Sequence, residues 1–291
     1  MRWRETKKSQ NVEDRRAQGG GFPGGKAGMG IGGILLAVLA MFMTGKVDLG
    51  ALLQGLGGTV TAGGGGASTG YQSTPEDEEK KAFVEHILGS TESIWSEIFR
   101  KSGKVYQEPR LVVFHQATSS GCGHANSATG PFYCPADSKV YLDLDFFEML
   151  AKRFGAPGDF AQAYVIAHEV AHHIQHLLGF TDEVHSKNGR VPQEVYNRWS
   201  VALELQADFL AGVWAHHMNK KEGLLERGDR EEAINCAMRI GDDTLQKQAS
   251  GTVRPETFTH GTAKERAYWF MKGFDSGDLN QGDTFTALGL R

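Results

Sequence analysis

The sequence predicts an α+β domain, mostly helical with a small sheet, behind an N-terminal transmembrane helix. Two observations predict the domain. Several long stretches carry apolar residues at helical spacing against only two short β-branched runs, and the two kinds occupy separate blocks instead of alternating. A third predicts the anchor: 19 of the 38 glycines fall within the first 70 of 291 residues, so the first quarter of the chain differs in composition from the rest. Hydrophobic residues at 40% and charged residues at 23% exclude wholesale disorder. The net charge of −4 excludes a global nucleic-acid-binding surface, and three cysteines are too few for a disulfide-built scaffold.

Residues 1–26 hold seven basic side chains against three acids (Glu5, Glu13, Asp14) and read as a basic cytoplasmic arm. Residues 27–45 are nineteen positions without a charge, just enough helix to cross a bilayer. The basic flank is too long for a cleavable signal peptide, so the segment reads as a retained signal anchor. The positive-inside rule then puts the N-terminus in the cytoplasm and everything after Lys46 outside, a single-pass arrangement. Residues 46–74 include the Gly/Ser/Thr/Ala-rich run GLGGTVTAGGGGASTGYQ and read as a flexible tether. The folded domain is expected over residues 75–291.

Within that domain, residues 75–102 open with four acids suited to a helix dipole and continue with Phe83, Ile87, Ile94 and Ile98 at helical spacing. Residues 110–116 (RLVVFHQ) and 139–144 (KVYLDL) are strands by composition. Between them Cys122 and Cys134 bracket a short loop. In an oxidising compartment a disulfide there would stabilise the fold by roughly 2–3 kcal/mol on the loop-entropy model, the alternatives being two buried thiols or a metal pair. Further helices are expected over 146–153, 159–178, 192–218, 230–249 and 262–274, with Cys236 an ordinary small core residue in the fourth of these.

The 159–178 helix contains HEVAHH, an HExxH in which His168 and His172 lie one above the other on one face, close enough to grip one Zn²⁺. Glu169, rotated by about 100°, can reach a water without binding the metal. Ala163, Ile166, Val170, Ile174 and Leu177 cluster opposite, which leaves the histidine face to a cleft. In the next helix ELQAD sets Glu204 and Asp208 four apart. Glu204 is then the third ligand and Asp208 the carboxylate that holds a ligand imidazole through its other nitrogen. Glu183, His185 and Glu194 are alternative third ligands, and Asp208 could ligate in place of Glu204. Gln175 and Leu178 exclude the longer HExxHxxGxxH pattern. His173 and His176 flank the motif, but neither has a Glu in the base position, and both read as cleft-wall or surface histidines.

Taken with these motifs, the blocks MRWRETKKSQNVEDRR, GPFYCPADSKVYLDLDFF, HEVAHHIQ, ELQADFLAGVWAHH, IGDDTLQ and FTHGTAKERAYWF resemble the bacterial neutral zinc metallopeptidase family, membrane-anchored and of the zincin type. Two features depart from that family: Glu265 stands where it tends to have Gln, and the glycine tether is this chain's own. The resemblance implies a zincin-like fold, one Zn²⁺ per chain held by His168, His172 and Glu204, Glu169 as general base, and a peptide or protein substrate. It also implies a place in the bacterial cytoplasmic membrane with the catalytic domain periplasmic or extracellular. His260 is the candidate donor to a developing oxyanion, with Tyr268 and Arg266 behind it. The competing expectation is a catalytically silent zincin-fold binding or scaffold protein of the envelope, which an intact Glu169 disfavours.

Overall fold

The computed structural model describes residues 1–18 and 71–291. They form an α+β body, mostly helical, as expected. Strand β1 (Val12–Asp14) is followed by the long helix α1 (Pro75–Lys101), which starts on a capping box: Thr74 accepts from the Asp77 amide and Asp77 from the Thr74 amide. Next come β2 (Arg110–Phe114), the hairpin β3 (Ala117–Ser120) and β4 (Gly123–Asn126), then β5 (Phe132–Cys134) and β6 (Lys139–Asp143). β1, β2 and β6 run parallel in a mixed sheet of order β1-β2-β6-β5, with β5 antiparallel on the far edge. Only β2 and β6 are buried and β-branched enough to announce themselves. β1 (VED), β3 (ATSS) and β4 (GHAN) are half-exposed and polar, with no period-two signal to read. Cys122 and Cys134 are joined by a disulfide and Cys236 is a buried free thiol.

The remaining helices are α2 (Asp145–Lys152), α3 (Asp159–Leu177), α4 (Phe180–His185), α5 (Gln193–Glu222), α6 (Asp229–Arg239), α7 (Asp242–Ser250), α8 (Ala263–Ser276) and α9 (Thr284–Ala287). The single helix expected over 230–249 is two, α6 and α7, parted at Gly241. A Cβ there would collide with the backbone of Ala263, so the chain turns where the start of α8 presses on it. Glu265 closes a capping box with Thr262, a role Glu and Gln fill alike. α3 lies at the centre, with Ala163, Ile166, Val170 and Ile174 fully buried. α5 and α8 cross at Gly212 and Gly273, where a Cβ on either would strike the other helix's backbone. That close approach sets residue 266 of α8 beside residue 208 of α5.

Residues 1–18, which the sequence places in a basic arm, pack on the domain. Met1 and Trp3 are core residues; Trp3 meets Phe83 of α1 edge-on, with ring centroids 5.4 Å apart. The Met1 amino group lies between Asp159 at 2.9 Å and Glu226 and Asp229, each at 3.2 Å. Buried Arg16 binds Asp14 and Glu78 of α1 at 2.6 and 2.7 Å. Arg4 and Lys8 likewise pair with Glu79 and Glu85 of α1, while Arg2 and Arg15 pair with Glu5 and Glu13 within the segment. The amide of Leu111 donates to Asn11 at 2.9 Å and that of Arg15 to Val113 at 2.8 Å, so residues 11–15 and β2 share one side of any bilayer. A single crossing between residues 18 and 71 would part these strands. The expected span at 27–45 and the tether up to residue 70 lie outside the described residues. Among the described residues no helix is long and apolar enough to cross a membrane. The tether's last residues belong to the domain: Tyr71 packs on His115, and Thr74 caps α1.

This packing predicts that a chain begun at Pro75 will be badly destabilised, because it strips the β1 edge from β2 and empties the sites of Met1 and Trp3. Replacement of residues 19–70 by a short flexible linker should fold instead, since the Arg16 side chain reaches Ser73 at 3.2 Å and the flanks of the excised segment lie near each other. Chemical denaturation of both variants against the full chain checks the pair. Equal stability of the Pro75 variant and the full chain would contradict the packing.

Candidate metal centre

α3 projects His168 and His172 toward Glu204 of α5. His168 Nε2 lies 3.1 Å from one Glu204 oxygen and His172 Nε2 3.5 Å from the other. Four donors around a tetrahedral Zn²⁺ at about 2.0–2.1 Å stand about 3.3 Å apart, so this donor set fits the ion. The remaining ring nitrogens are committed to acceptors: His168 Nδ1 to Asp208 at 2.8 Å and His172 Nδ1 to Gln175 Oε1 at 2.8 Å. Gln175 is fixed in turn by donating to the Leu203 carbonyl at 2.7 Å and to Gln206 at 3.1 Å. An imidazole that donates Nδ1–H to these acceptors can turn an Nε2 lone pair toward an ion at the shared point.

Asp208 is fully buried and does more than hold His168. Arg266 grips it with two hydrogen bonds, Nε to Oδ2 at 2.8 Å and Nη2 to Oδ1 at 3.0 Å, and the Tyr164 hydroxyl donates to it at 2.5 Å. Burial alone would raise the Asp208 carboxyl. The Arg266 guanidinium and then His168 more than offset that and bring it to about 2. Burial likewise opposes a charged His168, yet Asp208 first and Glu204 next raise it to about 10, a measure of how strongly this pocket favours a cation. Glu204, despite burial, is held well below the usual carboxylate range by His260, His172 and His168.

Glu169 and His260 line the same cavity, whose volume is about 420 Å³. His260 is held on its backbone by Asp242, which accepts from the amides of Thr259, His260 and Gly261. Its Nδ1 lies 3.0 Å from the Thr259 hydroxyl and 3.5 Å from Asp242 Oδ1. Burial would lower the His260 imidazole, and the Glu204 and Asp242 carboxylates raise it. Of the two residues expected behind it, Arg266 lines the same cavity but spends its hydrogen bonds on Asp208 and Tyr164, and Tyr268 is exposed beside Trp269. One wall of the cavity is the loop carrying Ser127 together with Phe132 of β5, and Met149, Phe154, Val165 and Leu203 make the rest of it largely apolar.

The alternatives fall away on position. His173 is buried against the Gln107 carbonyl at 2.6 Å and the Tyr133 hydroxyl at 3.0 Å, a structural pin. Glu183 pairs with Arg291, His176 faces Asp182, and Glu194 is exposed. His185 reaches the cavity wall but is not among the clustered donors. Sequence reading missed Gln175, Tyr164 and Asp242. The first two stand three residues after His172 and four before His168, helix spacings that a search for partners of the two ligands could have used.

The chain matches, over residues 1–285, the family described as "Putative neutral zinc metallopeptidase", and it belongs to that family. It is 46% identical to Uncharacterized protein YpfJ of Escherichia coli K12, across 98% of this chain and 99% of that one. It is 39% identical to Uncharacterized protein Rv2575 of Mycobacterium tuberculosis H37Rv, across 69% of each. No solved structure matches it.

Proposed function

We propose that the protein is a zinc-dependent peptidase of the zincin type that hydrolyses peptide bonds with Glu169 as general base. One observation carries the reading: two imidazole Nε2 atoms and a carboxylate converge within metal-ligand reach on a cavity wall, each imidazole oriented from behind by its own acceptor. His168, His172 and Glu204 would hold the ion. Zn²⁺ at that point supplies Lewis acidity toward a carbonyl and lowers the pKa of water to about 7. Glu169 then takes the proton of the attacking water and returns it to the leaving amine. His260, raised toward its charged form by Glu204 and Asp242, is suited to donate to the oxyanion that develops on the substrate carbonyl. The apolar wall excludes water from the reacting groups and offers room for a bulky apolar side chain.

The disulfide supports placing the whole domain, residues 1–18 included, in an oxidising compartment such as the cell envelope. Peptide-terminus profiling of envelope fractions from cells expressing the wild type or Glu169→Gln tests the function. Termini present only with the wild type support the peptidase; identical profiles would favour the silent scaffold.

A further inference from the structure

A second cluster of metal-ligating side chains lies outside this centre, at the carboxyl ends of the parallel strands. β2 and β6 pair in register from Arg110 with Lys139 to Phe114 with Asp143, so the residues that leave them emerge side by side. His115 follows β2, Asp143 ends β6, and Asp145 opens α2. His115 Nδ1 stands 3.2 Å from Asp145 Oδ1 and 3.9 Å from Asp143 Oδ1, and one donor atom from each residue lies within 4.8 Å of the others. The chain turns away immediately afterwards, at Gln116 with φ of 64°. The carboxyl ends of neighbouring parallel strands are where open sheets present groups to ligands.

Two independent features point to a cation. The first is the tautomer. The Tyr71 hydroxyl donates its only proton to Asp77 at 3.1 Å, so toward His115 Nε2, 3.3 Å away, its oxygen can only accept. Nε2 therefore carries a hydrogen, and Nδ1 is the ring atom left facing two carboxylates, at 3.2 and 3.9 Å. Two carboxylates converging on that atom call for a positive charge between them. The second is the charge balance. Asp77, Asp143 and Asp145 surround one imidazole, and among the described residues none of the three pairs with a Lys or Arg. A His–Tyr–Asp chain behind one ring nitrogen, with the other turned to carboxylates, is the arrangement by which proteins orient a metal-ligating histidine.

We propose that His115, Asp143 and Asp145 form a second divalent-metal site, selective for a first-row transition ion such as Zn²⁺ because one donor is an imidazole. The site would be structural. Asp143 is buried and accepts from the Ser127 hydroxyl at 2.5 Å and the Gln116 amide at 3.2 Å. Ser127 belongs to the loop that walls the peptidase cavity. An ion there would tie together α1 through Asp77 and Tyr71, the sheet through His115, and the cavity wall through Ser127. The site rests on none of the residues of the peptidase reading, so the two stand or fall separately.

The test is metal counting on the full chain, stripped with chelator, equilibrated with Zn²⁺ and freed of excess by gel filtration. The wild type should hold two ions, His172→Ala one, Asp145→Asn one, and the double variant none. Zn²⁺ should also raise the melting temperature of His172→Ala and not that of the double variant. Asp145 is exposed, so its amide should leave the fold intact, and His115→Gln gives a second variant with the same expected loss. A wild type holding one ion that Asp145→Asn and His115→Gln retain and His172→Ala loses would overturn the site. One ion lost in Asp145→Asn and His115→Gln but kept in His172→Ala would uphold this site and sink the peptidase centre.

Discussion

Glu169→Gln is expected to lower peptide hydrolysis by roughly 10²–10⁴-fold, the range that a positioned acid–base group contributes. The amide fills the same space, so nothing in the packing changes. Glu169 takes no part in the Asp208, Gln175 or Asp242 networks that hold the ligands and His260. Zinc content and melting temperature should stay at wild-type values while kcat and kcat/KM fall together, the pattern of a group needed only for the reaction step. Metal analysis, thermal melting and steady-state kinetics on one preparation check this. A variant that loses zinc along with activity would show that Glu169 helps to hold the ion, and the separation of base from ligands would be wrong.

The second large effect is expected at Asp208. A mere orienting carboxylate would cost only metal: removing it should weaken zinc binding by roughly 10–100-fold. Arg266 changes that expectation. Its guanidinium is buried with two hydrogen bonds to Asp208, and Asp208→Ala would leave that charge buried and unpaired. Breaking such a pair from one side costs about 3–5 kcal/mol. Asp208→Ala should therefore be destabilised even as metal-free protein, with zinc affinity lowered in addition. Urea unfolding of the metal-free form beside a chelator titration separates the two losses. A metal-free variant as stable as the metal-free wild type would mean that Arg266 finds another partner and that Asp208 acts only through His168.

The site was more legible than the fold around it. The HExxH spacing and the ELQAD pair depend on helix geometry alone, so the shared face of each pair could be read before packing was known, while the meeting of the two faces is set by how α3 and α5 pack. Asp242 and Arg266 act from positions 38 and 62 residues beyond Glu204, brought in by the split at Gly241 and the close crossing at Gly212 and Gly273. No local pattern encodes such contacts. The packing of the N-terminus was hidden for a related reason. Basic residues before an apolar stretch carry the same signal whether they face a membrane or pair with acids far along the chain. Only the fold shows Arg16 on Glu78 and Met1 on Asp159. Strands as short as β1 and β5 gain their stability from neighbours remote in sequence, and their own residues advertise little of it.

The most direct test of the account is a crystal structure of the zinc-loaded protein with anomalous data collected at the zinc edge. The account predicts a peak about 2.0–2.2 Å from His168 Nε2, His172 Nε2 and a Glu204 oxygen, with the Glu169 carboxylate outside bonding distance. A density map with no zinc at that point, or one with Glu169 among the ligands, would contradict it.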